Sequence, residues 1–226
     1  MKLRLLGVVC ACLASAGQAA SLSSAEFDWS TLTIIADGND VTGSIDWDYQ
    51  RDWIETGYID GATSGALVNP CPAENPYCYD IDPNTGWATS QDTNDGGLAT
   101  DAKTSVSPDL VSASTEVSYT GRAESRIERY GIFTAPSSGA YSFSVDYALS
   151  AEVNGTNSET GGEANSLLAE PYVELDIREG LDFLNPDIFG FVFDTVTVDG
   201  FGTDLSTGTL MVTGANGGPL FNFTAG

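Results

Sequence analysis

The stretch that decides the fold runs from Arg129 to Leu149 and reads RYGIFTAPSSGAYSFSVDYAL. A first apolar run ends at Phe133, and the residues APSSG that follow supply the proline, serines and glycine typical of a turn. Beyond the turn, apolar and aromatic residues alternate with small or polar ones from Tyr141 to Leu149. Alternation with a period of two residues predicts a strand with one face in a core. The stretch therefore predicts two strands and a turn in an all-β fold.

Alternating runs of the same kind recur along the chain, and no long amphipathic helix separates them. A first strand is predicted around Phe27 to Ile34, with a turn at Asp37-Gly38-Asn39 and a return strand over Val41–Tyr49. Further strands are predicted over 117–127, 173–177, 188–200, 210–212 and 220–223. An apolar fraction of 42% is enough to bury a core. Together these patterns predict a jelly-roll-like β-sandwich.

The residues from about 57 to 108 lack this alternation and are rich in Gly, Pro, Asn, Asp, Ser and Thr. We predict an irregular insertion here within one domain that spans residues 21–226. Cys71 and Cys78 lie in this segment and are the two cysteines outside the N-terminal twenty residues. In an exported chain such a pair predicts a disulfide, which for so short a loop stabilises by only about 2–3 kcal/mol. The bond would be a local clip on the insertion.

The first twenty residues have the pattern of a secretory signal peptide. Lys2 and Arg4 precede an uncharged run over 5–14, and small residues follow at Ala16, Ala19 and Ala20. The apolar run is too short to span a bilayer, so no transmembrane anchor is predicted there. Acylation at Cys12 is an alternative that the preceding residues match poorly. We therefore predict a secreted protein that is released or associated with the cell surface.

The charge balance limits the partners. Eight Lys and Arg residues face 32 Asp and Glu residues, a net charge of −24. Nucleic acids and anionic membrane surfaces require basic residues for binding, so neither is an expected partner. Cations, extracellular polysaccharide or further copies of the chain are the alternatives, although an acidic surface also serves solubility alone.

The chain contains no histidine. This excludes a Ser–His–Asp triad, a Cys–His pair and a histidine-ligated zinc centre, and no glycine-rich phosphate loop follows a strand. Paired carboxylates can hydrolyse glycosides, but the abundance of acids singles out no pair. We therefore predict that the protein is not an enzyme.

Two acidic clusters suggest calcium binding within the insertion. Asp80, Asp82 and Asn84 space oxygen ligands at alternate positions, and Asp92 and Asn94 form a second cluster. Calcium prefers several carboxylate and amide oxygens that converge on it. The glycine and the twelfth position depart from the EF-hand pattern, and Asp, Asn and Gly are also ordinary turn residues. Calcium is the one cofactor that the sequence suggests.

Aromatic residues suggest a glycan-binding surface as a second option. Trp53 and Trp87 stand among polar neighbours and are the candidates for stacking on sugar rings. Trp47 and Tyr49 instead fall on the apolar face of their predicted strand, where core packing is the expected role.

Two resemblances accompany these patterns. The residues Gly131-Ile132-Phe133-Thr134-Ala135-Pro136, with Gly139, Tyr141 and Phe143, resemble the G-x-F-T-x-P-x-x-G-x-Y-x-F segment of C1q/TNF-like jelly rolls. More of the chain resembles the ectodomains of bacterial exosortase-sorted (PEP-CTERM) proteins, on FDWSTLT at 27–33, the turn at 47–51, GIFTAPSSGAYSFSVDYAL and GTLMV at 208–212. The sequence departs from that family at its end, where it reads FTAG without the Pro-Glu-Pro signal. The resemblance implies an exported protein linked to extracellular polysaccharide and biofilm matrix.

The leading hypothesis is a secreted, acidic, non-enzymatic structural or adhesive protein outside a bacterial cell. It includes self-association, because the apolar C-terminal strand could pair with the sheet edge of a neighbouring copy. The alternative is a calcium-dependent carbohydrate-binding module.

Overall fold

The computed structural model describes residues 2–15, 19–60, 90–96, 100–119, 121–136, 138–154, 168–179, 187–212 and 221–223. Nearly all of them are in strands, with one short 3-10 helix at Thr42–Ser44. The strands are β1 Lys2–Ser15, β2 Ala19–Ala36, β3 Asn39–Asp40, β4 Trp47–Asp60, β5 Gln91–Gly96, β6 Thr100–Val106, β7 Leu110–Tyr119, β8 Gly121–Thr134, β9 Gly139–Asn154, β10 Leu168–Glu179, β11 Asp187–Thr195, β12 Val198–Asp199, β13 Gly202–Val212 and β14 Phe221–Phe223.

The strands form two antiparallel sheets packed face to face. The β8 sheet has the order β11-β10-β1-β8-β4, with β12 paired to β10. The β9 sheet has the order β13-β9-β2-β7-β6-β5, with β14 paired to β9 and β3 to β2. The pairs are nested along the chain: β1 with β10, β2 with β9, β4 with β8 and β6 with β7. A folded-over antiparallel ribbon of this kind has jelly-roll character, so the predicted all-β sandwich is confirmed.

The Arg129–Leu149 stretch forms the predicted strands, and its turn crosses from one sheet to the other. β8 lies in one sheet and β9 in the other, so the two strands are not a hairpin. Along β9, Tyr141, Phe143, Val145 and Leu149 are buried while their neighbours are more exposed. Tyr147 is partly buried and packs against the core. The period-two pattern therefore gave the correct inward face.

The turn between β8 and β9 is tied to the turn that follows β2. The Ala140 amide donates to Asp37 Oδ1 at 2.8 Å, and the Asp37 amide donates to the Ala140 carbonyl at 2.8 Å. Gly139 has φ +151°, and a Cβ atom there would overlap the Asp37 carboxylate. Glycine is required at this position, because an L side chain would meet both backbone strain and a steric clash.

The core lies between the sheets and is rich in aromatic rings. Trp47 meets Phe133 edge-on at 5.3 Å between ring centroids, and Phe133 meets Phe143 at 6.3 Å. Phe27 and Trp29 form a second edge-to-face pair at 6.4 Å. Edge-to-face rings of this kind contribute about 0.5–1.5 kcal/mol beyond their burial. The prediction that Trp47 is a packing residue agrees with this contact.

The predicted return strand over Val41–Tyr49 differs from the structure. After β2 the chain makes only two paired positions in β3, then the 3-10 helix, and enters the opposite sheet as β4 at Trp47. Thr42 explains the interruption: its Oγ1 accepts a hydrogen bond from the Ile34 amide, and its own amide donates to Asp40 Oδ1. These local hydrogen bonds replace ladder bonds that a hairpin would have formed.

Two further features were not predicted from the sequence. The segment 57–108, predicted to be irregular, contains strands β5 and β6 and the end of β4. Residues within the predicted signal peptide form β1, which lies between β8 and β10. The structure shows the chain with this segment in place, so removal of the segment during export stays a prediction. No helix among the described residues is long and apolar enough to cross a membrane.

Candidate functional site

Most of the residues that the sequence singled out lie outside the described residues: Cys71, Cys78, Asp80, Asp82, Asn84 and Trp87. The disulfide, the first acidic cluster and one of the two glycan-binding tryptophans therefore stay predictions.

The second acidic cluster lies in a strand and not in a turn. Asp92 and Asn94 belong to β5, where the register sets them opposite Ser105 and Lys103 of β6. The Asp92 carboxylate accepts a hydrogen bond from Ser105 Oγ at 2.6 Å. A neighbouring lysine position and an occupied carboxylate oxygen disfavour a cation there. Among the described residues, no group of three or more His, Cys, Asp or Glu could hold a metal ion.

The most distinctive surface is the rim, which we define as β11 and β13, the outermost strands of the two sheets on one side of the sandwich. Four large apolar side chains of the rim are exposed: Phe191 at 41%, Phe193 at 58%, Leu205 at 67% and Met211 at 55%. Phe191 and Phe193 stack with an interplanar angle of 12°. Within the described residues, β11 pairs only with β10 and β13 only with β9. The rim thus combines open strand edges with exposed apolar side chains.

A hydrogen-bonded cluster beneath the rim joins the two sheets. Tyr147 of β9 donates its hydroxyl to Asp194 Oδ2 of β11 at 2.5 Å, and Ser206 of β13 donates to the same oxygen at 2.6 Å. Partial burial, and then the hydrogen bond to Asp194, raise the pKa of Tyr147 above 10.0. Burial opposes ionisation of Asp194, but the hydrogen bonds from Ser206, Tyr147 and the Thr195 amide outweigh it and lower the pKa of Asp194 below 3.8. The cluster holds β9, β11 and β13 together at the rim.

The outer face of the β8 sheet alternates aromatic and charged positions next to the rim. The register sets Phe193 opposite Glu174 and Phe191 opposite Asp176. At the other edge of this sheet, the register sets Trp53 of β4 opposite Glu128. Glu128 forms an ion pair with Arg126 of the same strand. Asp176 is buried at 1% exposure, whereas Glu174 is partly exposed, so the Glu174 carboxylate is the one that a sugar hydroxyl could reach beside the exposed rings.

The outer face of the β9 sheet is lined by small hydroxyl side chains. Ser24, Ser114 and Ser150 lie side by side across three strands, and a Lys103–Asp101 ion pair of 3.2 Å borders them. These groups line a shallow depression. Glu116 and Glu152 also line the depression, so it offers hydroxyl and carboxylate groups to a polar ligand.

The buried ion pair between Arg129 and Asp52 has a structural role. Arg129 Nε and Nη2 donate to the two Asp52 carboxylate oxygens at 2.6 and 2.7 Å, and both side chains are fully buried. The guanidinium also donates to the carbonyls of Ser107 and Pro108 and lies over the Trp29 ring at 5.6 Å. These four hydrogen bonds end on groups of the fold, so the pair anchors β8 and β4 to the loop before β7.

The alternating pattern over 188–200 predicts a strand but does not reveal that Phe191 and Phe193 are exposed. The signal for this exposure is the sequence of β13, GTDLSTGTLMV, which is mostly small and polar, carries Asp204 and offers few residues to cover a neighbouring aromatic row. Comparisons with models of protein families, with curated proteins and with solved structures found no match to the chain.

Proposed function

We propose that the chain is a secreted, non-enzymatic structural or adhesive protein of a bacterial extracellular matrix or cell surface, and that copies associate through the rim. Residues 1–20 act as the signal peptide in this proposal. The observation that carries it is the exposure of Phe191, Phe193, Leu205 and Met211 on strands with open edges.

Association through the rim is favourable because another strand can pair with its open edges and cover its exposed apolar side chains. An open edge offers unpaired backbone N–H and C=O groups, and a second copy brings the same groups in a self-complementary pairing. Burial of the exposed apolar side chains adds roughly 25 cal/mol for each Å² removed from water. The net charge of −24 opposes close approach of copies, so screening by salt favours the association.

Light scattering coupled to size exclusion tests this proposal on the secreted protein, with and without calcium. Assembly above the monomer mass is expected, and the Phe191→Ser/Phe193→Ser double variant is expected to lose it. Leu22→Ser is the matched control, because Leu22 is a partly exposed apolar residue on the outer face of the β9 sheet, away from the rim. A wild-type protein that stays monomeric at high concentration in both conditions would sink the proposal.

A calcium-dependent carbohydrate-binding module is the second candidate, and the position of the exposed Phe193 opposite the partly exposed Glu174 favours it. Titration with soluble extracellular polysaccharides distinguishes the two. Binding that falls on Trp53→Ala and Phe193→Ala, and that chelation of calcium weakens, supports the module. Assembly that is lost in the rim variants but unchanged in Trp53→Ala supports the structural role.

A further inference from the structure

We infer that the rim of one copy pairs with the rim of a second copy across one two-fold axis, with β13 antiparallel to β13 and β11 antiparallel to β11. This dimer rests on the proposed function, in which copies associate through the rim, and it adds the register and the number of copies. Both sheets of the sandwich then continue from one copy into the other.

β13 is self-complementary about Gly208. Leu205 lies three residues before Gly208 and Met211 three residues after it, and both side chains are exposed, whereas Leu210 and Val212 are buried in the core. In an antiparallel pair, residues at equal distances on either side of a two-fold axis lie opposite each other. A second β13 centred on Gly208 therefore sets Leu205 of each copy opposite Met211 of the other, so that the two exposed apolar side chains cover each other.

β11 has the same symmetry about Val192. Phe191 and Phe193 flank Val192, and their exposed rings are stacked with centroids 6.3 Å apart. A second β11 centred on Val192 sets Phe191 of each copy opposite Phe193 of the other. Aromatic residues directly opposite each other on neighbouring strands stabilise a sheet, and here two stacked pairs join into a cluster of four rings.

β11 and β13 run in opposite directions along the rim. Val198 and Asp194 lie opposite positions of β10 that are four residues apart. β13 begins beside the first of them, since a Cβ atom at Gly202 would stand 3.8 Å from Val198 Cγ1. Four residues later, Ser206 donates its hydrogen bond to Asp194. β13 therefore advances in the direction of β10, and β11 is antiparallel to both.

The centres of the two strands consequently lie at the same height along the rim. Val192 is two residues before Asp194, and Gly208 is two residues after Ser206, so the opposite strand directions bring Val192 and Gly208 level with each other. A two-fold axis perpendicular to the sheets relates each sheet to the same sheet of the second copy. One axis can serve both strand pairs only if their centres are level, and these two centres are.

Acidic side chains do not oppose one another in this register. Asp204, the one charged residue of β13, lies opposite Val212 of the second copy, and Asp194 lies opposite Gly190. On the other side of the sandwich, the outermost strands β4 and β5 carry five and two charged residues. Charged side chains on an edge discourage pairing, so the rim is the side where a chain of net charge −24 meets least repulsion.

The pairing is closed at two copies. Each copy has one rim, and a two-fold axis engages both rims at once. The charged strands β4 and β5 remain at the two ends of the dimer, where they do not favour further growth.

Exchange of charge between Leu205 and Met211 tests the register. Leu205→Asp and Met211→Lys each set a charge opposite an apolar residue of the second copy. Each is expected to weaken dimerisation of the secreted protein at least about tenfold, measured by analytical ultracentrifugation. An equimolar mixture of the two variants brings the new charges opposite each other at one contact and keeps Leu205 opposite Met211 at the other. The mixture is expected to dimerise at least about tenfold more tightly than either variant alone.

A mixture of Leu205→Asp with Leu205→Lys is the matched control, because it contains the same two charges but sets neither opposite the other. We expect no recovery of dimerisation in it. Both positions are exposed, so the variants should fold, and circular dichroism verifies this.

Recovery in the first mixture and not in the second, with a wild-type mass that stops at two copies, is the expected result. Any other result of the two mixtures, single variants that dimerise like the wild type, or growth of the wild type beyond the dimer overturns this pairing. Assembly that is still lost in Phe191→Ser/Phe193→Ser would then leave the proposed function standing. A wild-type protein that stays monomeric overturns both.

Discussion

At the scale of single residues, we expect substitutions to lower stability most at Gly139 and at the buried Asp52–Arg129 pair. Gly139 holds a backbone conformation that L side chains rarely adopt, and it faces the Asp37 carboxylate. Arg129 and Asp52 are charged side chains that are stable in the core only because each satisfies the other.

Gly139→Ala is expected to lower the free energy of unfolding by about 1–3 kcal/mol, from backbone strain and from displacement of Asp37. Urea unfolding followed by circular dichroism measures the change. Gly43→Ala is the control, because Gly43 has no positive φ and no atom within 4 Å of an added Cβ, and a change within about 0.5 kcal/mol is expected. Equal effects of the two substitutions would contradict the role of the turn.

Asp52→Ala is expected to lower the free energy of unfolding by about 3–5 kcal/mol, because it leaves the buried Arg129 charge without its carboxylate. The Asp52→Leu/Arg129→Met double variant removes both charges and is expected to be more stable than the single variant. Chemical unfolding of the three proteins checks this order. A double variant that is less stable than Asp52→Ala would show that the pair adds more than charge compensation.

At the scale of elements, the two sheets are joined at the rim by Tyr147, Asp194 and Ser206. The raised pKa of Tyr147 means that the folded state keeps its proton more tightly than the unfolded state. The resulting stability is fully present below pH 10 and is lost as the pH rises through the folded pKa. The lowered pKa of Asp194 has the opposite sign, so its stability is present above pH 3.8 and is lost as the pH falls through the folded pKa.

Tyr147→Phe is therefore expected to be less stable than the wild type near pH 7 and to lack the alkaline loss of stability. The stability difference between wild type and Tyr147→Phe should be largest near pH 7 and should shrink above pH 10, measured by denaturant unfolding at each pH. Ser206→Ala is the control that keeps the tyrosine and should retain the alkaline loss. A stability difference that stays constant between pH 7 and 11 would show that ionisation of Tyr147 does not weaken the link between the sheets.

At the scale of the whole molecule, the net charge of −24 makes stability depend on salt. The Debye length falls from about 30 Å at 0.01 M to about 10 Å at 0.1 M salt, which screens repulsion between acids on different strands. We expect salt to raise the unfolding temperature by roughly 2–4 °C for each kcal/mol of unfolding free energy that screening restores. Calorimetry in sodium chloride measures the rise.

Magnesium and calcium at equal ionic strength separate screening from a specific site. Equal shifts in unfolding temperature for the two ions indicate screening alone. A larger shift with calcium would indicate a site in the predicted acidic clusters.

The sequence by itself determined the class of fold and the face of most strands. Side chains of a strand point alternately to opposite sides, so the run from Tyr141 to Leu149 reports its buried face without knowledge of its neighbours. The absence of histidine likewise limits the chemistry at the level of composition. The buried face of a strand is a local property and the lack of histidine is a property of composition, so the sequence alone shows both.

The tertiary structure alone decided which strands are neighbours, and with them the rim and the buried pair. Phe193 and Phe143 both follow an alternating pattern, but one is exposed on an outermost strand and the other is covered by the opposite sheet. Arg129 shares the inward phase of Ser125 and Ile127, and its charge is accommodated in the core because Asp52, far along the chain, lies opposite it. Exposure of a strand depends on contacts between distant segments, and alternation within one segment holds no information about them.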